Sequence, residues 1–134
     1  MLLALTNGVL FAVVTPPWQA PDEPQHYQTI RVLIARRRIP QYGYARWAAV
    51  LQEEVLDSLA DNDFWALRHH TPAPETGGIR NLRVLDHEGM LAAVNHPPVY
   101  YVVAALAIRP FLSSSIVTQL YVLRLLSVLL GLVA

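Results

Sequence analysis

Two adjacent carboxylates, Asp22 and Glu23, stand between Pro21 and Pro24, directly after an apolar N-terminal segment. A carboxylate pair at the edge of a membrane is costly unless water, a partner or a substrate receives it. Two roles stay open for the pair. The carboxylates can cap a helix that begins at Pro24, since acidic groups favour a helix N-terminus. Alternatively they are catalytic residues, and one carboxylate acts as general base towards an acceptor hydroxyl.

Two histidines beside proline-rich segments are candidates for contacting a substrate. His26 follows the acidic pair on nearly the same face of the expected helix. The diproline at 97–98 holds His96 extended, which places its ring at a membrane boundary where it could touch a phosphate. The alternatives are a surface histidine and a proline-stiffened helix entry. Asp22 and His26 could share a metal ion, but no third ligand is identifiable. We therefore predict no cofactor and no metal-binding residue, while use of a divalent cation stays open.

The expected helix closes on three arginines, Arg36, Arg37 and Arg38, which have two interpretations. The arginines can anchor the helix to anionic lipid head groups. Alternatively one of them, for which we take Arg36, binds the phosphate of a lipid carrier through bidentate hydrogen bonds. A D-x-D pattern at 61–63 resembles the metal-holding pattern of many glycosyltransferases, but here it ends an amphipathic helix, where acidic residues are common.

Composition separates this chain from an ordinary soluble domain. Of its 134 residues, 54% are hydrophobic and 15% are charged, whereas soluble domains have about 25% charged residues. The net charge is zero, so no global positive field points to nucleic acid as a partner. The chain has no cysteine, which excludes disulfides, thiolate chemistry and cysteine-based metal sites.

The hydrophobic residues are concentrated at both ends of the chain, which predicts an all-α, polytopic membrane protein. We expect a first transmembrane helix over 1–15, an extracytoplasmic loop over 16–96, a second transmembrane helix over 97–112, a cytoplasmic turn over 113–118, and the start of a third transmembrane helix over 119–134. Arg109 and Arg124 flank the turn, so the positive-inside rule places the turn in the cytoplasm. Trp18 fits the aromatic belt at the membrane interface. The apolar run at the end of the sequence predicts a fragment of a larger protein.

Two amphipathic helices are expected in the loop, over about residues 22–38 and 46–64. The apolar face of the first is formed by Tyr27, Ile30 and Ile34. The apolar face of the second is formed by Leu51, Val55 and Leu59. The first helix is expected to lie along the membrane surface. Residues 66–95, which contain several prolines and glycines, are expected to form an irregular loop.

Three motifs together resemble a known class of membrane enzyme. The first apolar helix is followed by P-x-x-x-P-D-E-P-x-H at 17–26, H-P-P-V-Y-Y at 96–101 opens the second, and L-R-L-L-S-V-L-L-G occupies 123–131. This layout resembles the N-terminal part of GT-C class integral membrane glycosyltransferases. It is similar to the protein mannosyltransferase and aminoarabinose transferase branch, and to uncharacterised bacterial membrane proteins that share the P-D-E-P-x-H element.

The resemblance implies transfer of a sugar from a polyprenyl-phosphate donor on the extracytoplasmic side of the bacterial plasma membrane. The acceptor would be a hydroxyl of a cell-envelope glycan, lipid or protein. By this resemblance Asp22 matches the catalytic base or acceptor-orienting group, with Glu23 as its neighbour. His96 matches the basic residue near the carrier phosphate, and Arg124 matches a structural arginine on the cytoplasmic side. A single displacement at the anomeric carbon inverts its configuration, and cations can neutralise the phosphate leaving group without a metal.

The predicted substrate-binding residues are His26, His96, Arg36 and Tyr100, the last at the start of the expected second membrane helix. The chain alone is expected to be inactive, since it lacks the helices that would complete a lipid cavity. The alternative is a non-catalytic scaffold or accessory subunit in the membrane, whose external loop binds a partner. Such a protein would tolerate Asp22→Asn, but it would fail when the apolar face formed by Leu51, Val55 and Leu59 is disrupted.

Overall fold

The computed structural model describes residues 2–37, 49–73 and 98–133, and in these ranges the chain is all-α. The helices are α1 (Leu2–Val14), α2 (Glu23–Arg36), α3 (Ala49–Asp61), α4 (Phe64–His69), α5 (Pro98–Ile108) and α6 (Ile116–Val133). A 3-10 turn, Arg109–Phe111, follows α5. The predictions for His96 and for the irregular loop beyond residue 73 lie outside the described residues.

Helix α6 is the element against which α1, α2 and α5 are arranged. Gly8 of α1 lies beside Val128, and a Cβ added at Gly8 would come within 2.8 Å of the Val128 Cγ1 atom. Four residues later the carbonyl of Ala12 meets Arg124. Contacts that move forward along α1 therefore move backward along α6, so the two helices are antiparallel. The absence of a side chain at Gly8 permits their close approach.

The order of contacts with α6 also places α2 in line with α1. Glu23 contacts Arg124, and Tyr27, one turn further along α2, contacts Gln119. Helices α1 and α2 thus run in the same direction along α6, as one rod that is interrupted over residues 15–22. Prolines at 16, 17 and 21 explain the interruption, because proline removes a helical N–H and restricts the residue before it.

Helix α5 also runs antiparallel to α6, with Tyr100 beside Ser127 at one end of the pair. Since α1 and α5 are both antiparallel to α6, they point the same way. This differs from the predicted layout, in which the helices over 1–15 and 97–112 point in opposite directions. The physical reason is that α2 packs along α5 and contacts α6 through Glu23 and Tyr27, where we expected it to lie on a membrane surface.

Several helix boundaries differ from the sequence expectations. The second amphipathic helix, expected over 46–64, divides into α3 and α4 at Asp63, whose φ of 54° is left-handed. The last helix begins at Ile116 and not at 119, because the Ser115 side-chain oxygen accepts a hydrogen bond from the Thr118 backbone N–H at 3.2 Å. That contact is an N-cap, which fixes a helix start. Among the described residues, no helix combines the length and the apolar character needed to cross a membrane.

The predicted amphipathic faces are buried in the protein. Tyr27 and Ile30 of α2, and Val55 and Leu59 of α3, are at most 1% exposed. They pack in one core with α5 and α6. Trp18 was expected at the membrane interface, and this prediction is wrong, since its side chain is fully buried. The Trp18 indole N–H donates to the Ser58 hydroxyl at 3.0 Å, and its ring meets Tyr27 edge to face.

The apolar surface of the molecule lies mostly on α1, α5 and α6. Large side chains of α1 are exposed away from the face that packs on α6, among them Leu3, Leu10 and Val13. Leu106 of α5 and Leu129 of α6 are exposed as well. These three helices carry the two ends of the chain, where the sequence concentrates its hydrophobic residues.

Candidate functional site

A cavity of about 550 Å³ opens where α1, α2, α5 and α6 meet. Its walls are largely apolar, with Phe11 and Ala12 from α1, Ile30 from α2, and Leu120 and Val128 from α6. Its polar lining consists of Glu23, His26, Tyr27, Tyr100, Arg124 and Ser127. An apolar space with a few converging polar groups is the usual form of a small-molecule site.

An ion pair between Glu23 and Arg124 stands at the break between α1 and α2. The Arg124 Nε donates to one carboxylate oxygen at 2.5 Å, and its Nη2 donates to the other at 2.8 Å. The two side chains are 8% and 11% exposed. The bidentate geometry and the burial make this a strong, directional contact.

Arg124 also holds the carboxyl end of α1. Its Nη1 donates to the carbonyls of Ala12, at 2.9 Å, and Thr15, and its Nη2 donates to the carbonyl of Pro16 at 2.8 Å. A guanidinium has five N–H donors, and these bonds, with the two to Glu23, use all of them. Carbonyls at the end of a helix need such donors, and a cation there is favoured by the helix dipole. Arg124 therefore clamps α1, α2 and α6 together.

Arg124 was predicted to be structural and to lie on the cytoplasmic side, opposite the acidic pair. The structural role agrees with its contacts. The prediction that Arg124 lies on the opposite side from the acidic pair is wrong, because Arg124 contacts Glu23 directly. From the sequence, Arg124 was placed next to the turn at 113–118. In the structure Arg124 lies two turns into α6, at the level where α1 ends.

Asp22 and Glu23 have different environments although they are neighbours. Asp22 occupies the N-cap position of α2 with φ 58° and ψ 13°, and its side chain makes no capping hydrogen bond. Its carboxylate is exposed and has no ion-pair or hydrogen-bond partner in the described part of the chain. Both oxygens of Glu23 are engaged by Arg124, and one also accepts the Ala20 N–H at 3.3 Å. The predicted side-chain cap by Asp22 is therefore not formed, and Asp22 is the available carboxylate.

His26 is held inside a cluster of aromatic rings. Its Nδ1 atom lies 2.9 Å from the hydroxyl of Tyr101, which is fully buried. The His26 and Tyr101 rings stack at 30°, and the ring of Tyr100 meets His26 edge to face. The ring of His26 is thus fixed by two side chains of α5.

Tyr100 is fixed in turn by α6. The Ser127 hydroxyl donates to the Leu123 carbonyl at 3.0 Å. Since Ser127 has a single proton, its oxygen accepts the contact with the Tyr100 hydroxyl, at 3.2 Å, and Tyr100 donates. These bonds orient both hydroxyls at the cavity wall.

A second polar cluster lies one turn further along α2, towards the turn at 112–115. The Tyr27 hydroxyl donates to Gln119 Oε1 at 2.8 Å, and Arg31 donates to the same oxygen at 2.9 Å. Arg31 also lies 3.6 Å from Glu54 of α3. Burial raises the pKa of the Tyr27 phenol, and the nearby Arg31 charge opposes this shift. Tyr27 therefore remains a neutral donor at physiological pH.

The structure places the predicted site residues in three groups. Glu23, His26 and Tyr100 are brought together at one cavity. Asp22 is exposed, and both its chain neighbours line that cavity. The Arg36 side chain and His96 lie outside the described residues. Sequence reasoning missed Tyr101 and Ser127, although both stand in motifs that we had singled out, at 96–101 and 123–131.

The D-x-D pattern is not at this cavity. Asp61 and Asn62 line a different cleft, of about 460 Å³, between α3 and the turn before α6. The Asn62 side-chain amide donates to the Ser58 carbonyl at 2.7 Å, which serves the end of α3. In residues 2–37, 49–73 and 98–133, no group of three or more His, Asp or Glu side chains is placed to hold a metal ion.

No protein-family model matches the chain, and no curated protein or solved structure matches it.

Proposed function

We propose that this chain is part of a membrane glycosyltransferase that transfers a sugar from a polyprenyl-phosphate donor to an acceptor hydroxyl. The observation that carries the proposal is the cavity in which Glu23, His26 and Tyr100 line an otherwise largely apolar space. Such a lining suits a ligand with a polar head and a hydrocarbon chain. Apolar walls favour the chain through the hydrophobic effect, and the polar side chains orient the head.

Within this proposal, Asp22 is the catalytic base. Its carboxylate is exposed and makes no hydrogen bond in the described ranges, so it can take the proton of an acceptor hydroxyl as that oxygen attacks the anomeric carbon. Glu23 is then the positioning neighbour, because both of its oxygens are bound by Arg124. Attack in a single displacement inverts the anomeric carbon, and the bond to the carrier phosphate breaks.

The proposed setting is the bacterial plasma membrane, with sugar transfer on its extracytoplasmic side. The exposed apolar side chains of α1, α5 and α6 support this setting, since exposed apolar patches of such extent mark contact surfaces for lipid or protein. Arg36 and His96 remain proposed ligands of the carrier phosphate on sequence grounds. The proposed acceptor is a glycan, a lipid or a protein of the cell envelope.

The test is Asp22→Asn in the full-length protein, assayed for sugar transfer in isolated membranes. We expect transfer to fall by about 100-fold or more, since a general base contributes on the order of 10²–10⁴ in rate. Asp57→Asn is the matched control, because Asp57 is another exposed carboxylate, far from the cavity on α3. Protein amount and membrane insertion should be equal in all samples. Retained transfer by Asp22→Asn would remove the base assignment.

A non-catalytic scaffold is the second candidate, and the contacts of Arg124 favour it. All five donors of this arginine are used inside the protein, so the ionic group at the cavity serves packing and not a ligand. We predicted that a scaffold would fail when the apolar face formed by Leu51, Val55 and Leu59 is disrupted. Val55 and Leu59 are buried in the core, so disruption of this face would destabilise the fold whatever the function. A scaffold would keep its function in Asp22→Asn and lose it when exposed α1 residues such as Leu10 become charged.

A further inference from the structure

The hydroxyl groups that line the cavity between α1, α2, α5 and α6 have their protons bound inside the protein. The Tyr100 hydroxyl donates to Ser127 at 3.2 Å, and the Ser127 hydroxyl donates to the Leu123 carbonyl at 3.0 Å. The Tyr27 hydroxyl donates to Gln119 at 2.8 Å. Since a hydroxyl has a single proton, none of these three groups has one left for a ligand.

The remaining N–H donors at the cavity are occupied as well. Arg124 uses all five of its donors on Glu23 and on three backbone carbonyls at and just after the end of α1. The backbone N–H of Ala20, which also lines the cavity, donates to Glu23 at 3.3 Å. His26 is kept out of this count, and nothing below depends on its protons. The other polar groups that the structure describes at the cavity therefore offer a ligand no donor.

The same groups keep lone pairs that can accept hydrogen bonds. A hydroxyl oxygen can accept two bonds, and so can each oxygen of a carboxylate. In the described part of the chain, the Tyr100 oxygen accepts none and the Ser127 oxygen accepts one, from Tyr100. The Glu23 Oε1 atom accepts one, from Arg124. The polar lining of this cavity is therefore a set of acceptors that faces an apolar space.

We infer that the cavity binds a neutral amphiphile with hydroxyl groups on its head, which donate hydrogen bonds to Tyr100, Ser127 and Glu23. The hydrocarbon part of this ligand packs on the apolar walls. A phosphate head would bring a negative charge and only acceptor oxygens into this space, and burial of such a charge without donors is strongly disfavoured. A phosphate needs several donors, so one imidazole would not suffice whatever its protonation. An ammonium head would lack a counter-ion, because Arg124 already compensates Glu23.

This inference rests on the proposed function, and it names the acceptor of that reaction as a lipid alcohol. The exposed carboxylate of Asp22 stands between Pro21 and Glu23, which both line the cavity. In the transfer, one hydroxyl oxygen of the ligand forms the bond to the anomeric carbon and its proton passes to Asp22. The bond from that carbon to the carrier phosphate breaks, and its electron pair stays on the phosphate. The carrier phosphate is left to other residues, for which Arg36 and His96 are the sequence candidates.

The experiment is a titration of the chain in detergent micelles with hexanol, hexyl methyl ether and hexyl phosphate. Binding is followed by the methyl NMR signals of Leu120 and Val128, which line the cavity. The probes share one hydrocarbon chain, and their heads are a donor, an uncharged acceptor and an anion. Each affinity is referred to the probe concentration in the micelle. We expect hexanol to bind about tenfold more tightly than the ether, the size of one buried hydrogen bond, and about 100-fold more tightly than hexyl phosphate.

Variants of the lining test which groups recognise the hydroxyl. Tyr100→Phe removes an acceptor, so the preference for hexanol over the ether should fall by about two- to tenfold. Ser127→Ala removes the acceptor of the Tyr100 proton and frees this proton for a ligand, so the ether and hexyl phosphate should bind more tightly. Tyr121→Phe is the matched control, because it deletes a phenol hydroxyl of α6 outside the cavity lining, and its three affinities should stay unchanged.

Equal binding of hexanol and the ether by the unmodified chain would overturn the inference, and so would tighter binding of hexyl phosphate or no binding of hexanol at the cavity. If a variant does not fold, the three affinities of the unmodified chain still decide. Tighter binding of hexyl phosphate would leave the proposed glycosyl transfer in place, with the cavity as the site of the sugar donor. If hexanol is preferred while Asp22→Asn keeps full transfer, the ligand class stands and the base assignment falls.

Discussion

Two arginine–glutamate pairs in the described part of the chain differ in nearly every physical respect. Arg124 and Glu23 are 8% and 11% exposed, and two hydrogen bonds join them. Arg31 and Glu54 are 16% and 50% exposed, and their closest atoms lie 3.6 Å apart. The first pair joins α6 to α2 at the interruption between α1 and α2. The second lies at the edge of the hydrogen-bond network around Gln119.

Charge contributes differently to the stability of the fold in the two regions. A buried pair is costly to desolvate, and breaking it leaves a charge without compensation. A partly exposed pair gains little, because water and salt screen it. In the second region the hydrogen bonds from Tyr27 and Arg31 to the uncharged Gln119 side chain carry more of the energy than the ion pair does.

Removal of Arg124 is expected to break the first region and to have the largest effect. Arg124→Met leaves Glu23 as a buried charge and removes the guanidinium donors from the carbonyls of Ala12, Thr15 and Pro16, so the free energy of unfolding should fall by about 3–5 kcal/mol. Denaturant titration of the chain in detergent measures this loss. Arg124→Lys is the control: it keeps the charge but cannot reproduce five planar donors, and most of the loss should remain. Recovery of full stability in Arg124→Lys would show that charge alone holds the break.

Removal of the Tyr27 hydroxyl should have an intermediate effect. Tyr27→Phe keeps the ring against Trp18 and deletes the hydrogen bond that Tyr27 donates to Gln119 and the one that it accepts from Arg31. Arg31 keeps its own bond to Gln119, so we expect a loss of about 1 kcal/mol. The same titration measures it. A loss comparable with that of Arg124→Met would contradict the ranking of the two regions.

Neutralisation of Glu54 should have the smallest effect. Glu54→Gln removes the partner of Arg31 at a half-exposed position, and the expected change is below about 0.5 kcal/mol. Raising the salt concentration should reproduce the change in the unmodified chain, since salt screens exposed pairs. Glu23→Gln is the matched comparison, with a loss several times larger. Equal losses in the two variants would mean that burial does not separate the pairs.

The elements that hold these regions were largely predictable from local patterns. The apolar spacing of Tyr27, Ile30 and Ile34 correctly indicated a helix with one buried side, and Pro24 marked its start. Helical spacing identifies the face that must be covered but not what covers it. We therefore assigned that face to a membrane surface, whereas α5 and α6 cover it in the structure.

The candidate site was predictable only in part. His26 and Tyr100 were singled out from motifs, and they do meet at one cavity. The division of labour between Asp22 and Glu23 was not predictable, because it depends on Arg124, which lies 101 residues away from Glu23 in sequence. Arg124 was misplaced for the same reason. The positive-inside rule uses only the charges close to a turn and gives no information on contacts between residues distant in sequence.

The clamp at the break has a consequence for synthesis of the protein. Ala12 precedes Arg124 by 112 residues and Glu23 precedes it by 101 residues. At ribosomal rates of about 5–20 residues per second, Glu23 emerges roughly 5–20 s before its partner. During that interval the carboxyl end of α1 and the first turn of α2 have no guanidinium to bind. A translational pause before residue 124 would prolong the period in which this junction is open to misfolding, and synthesis of α6 ends that period.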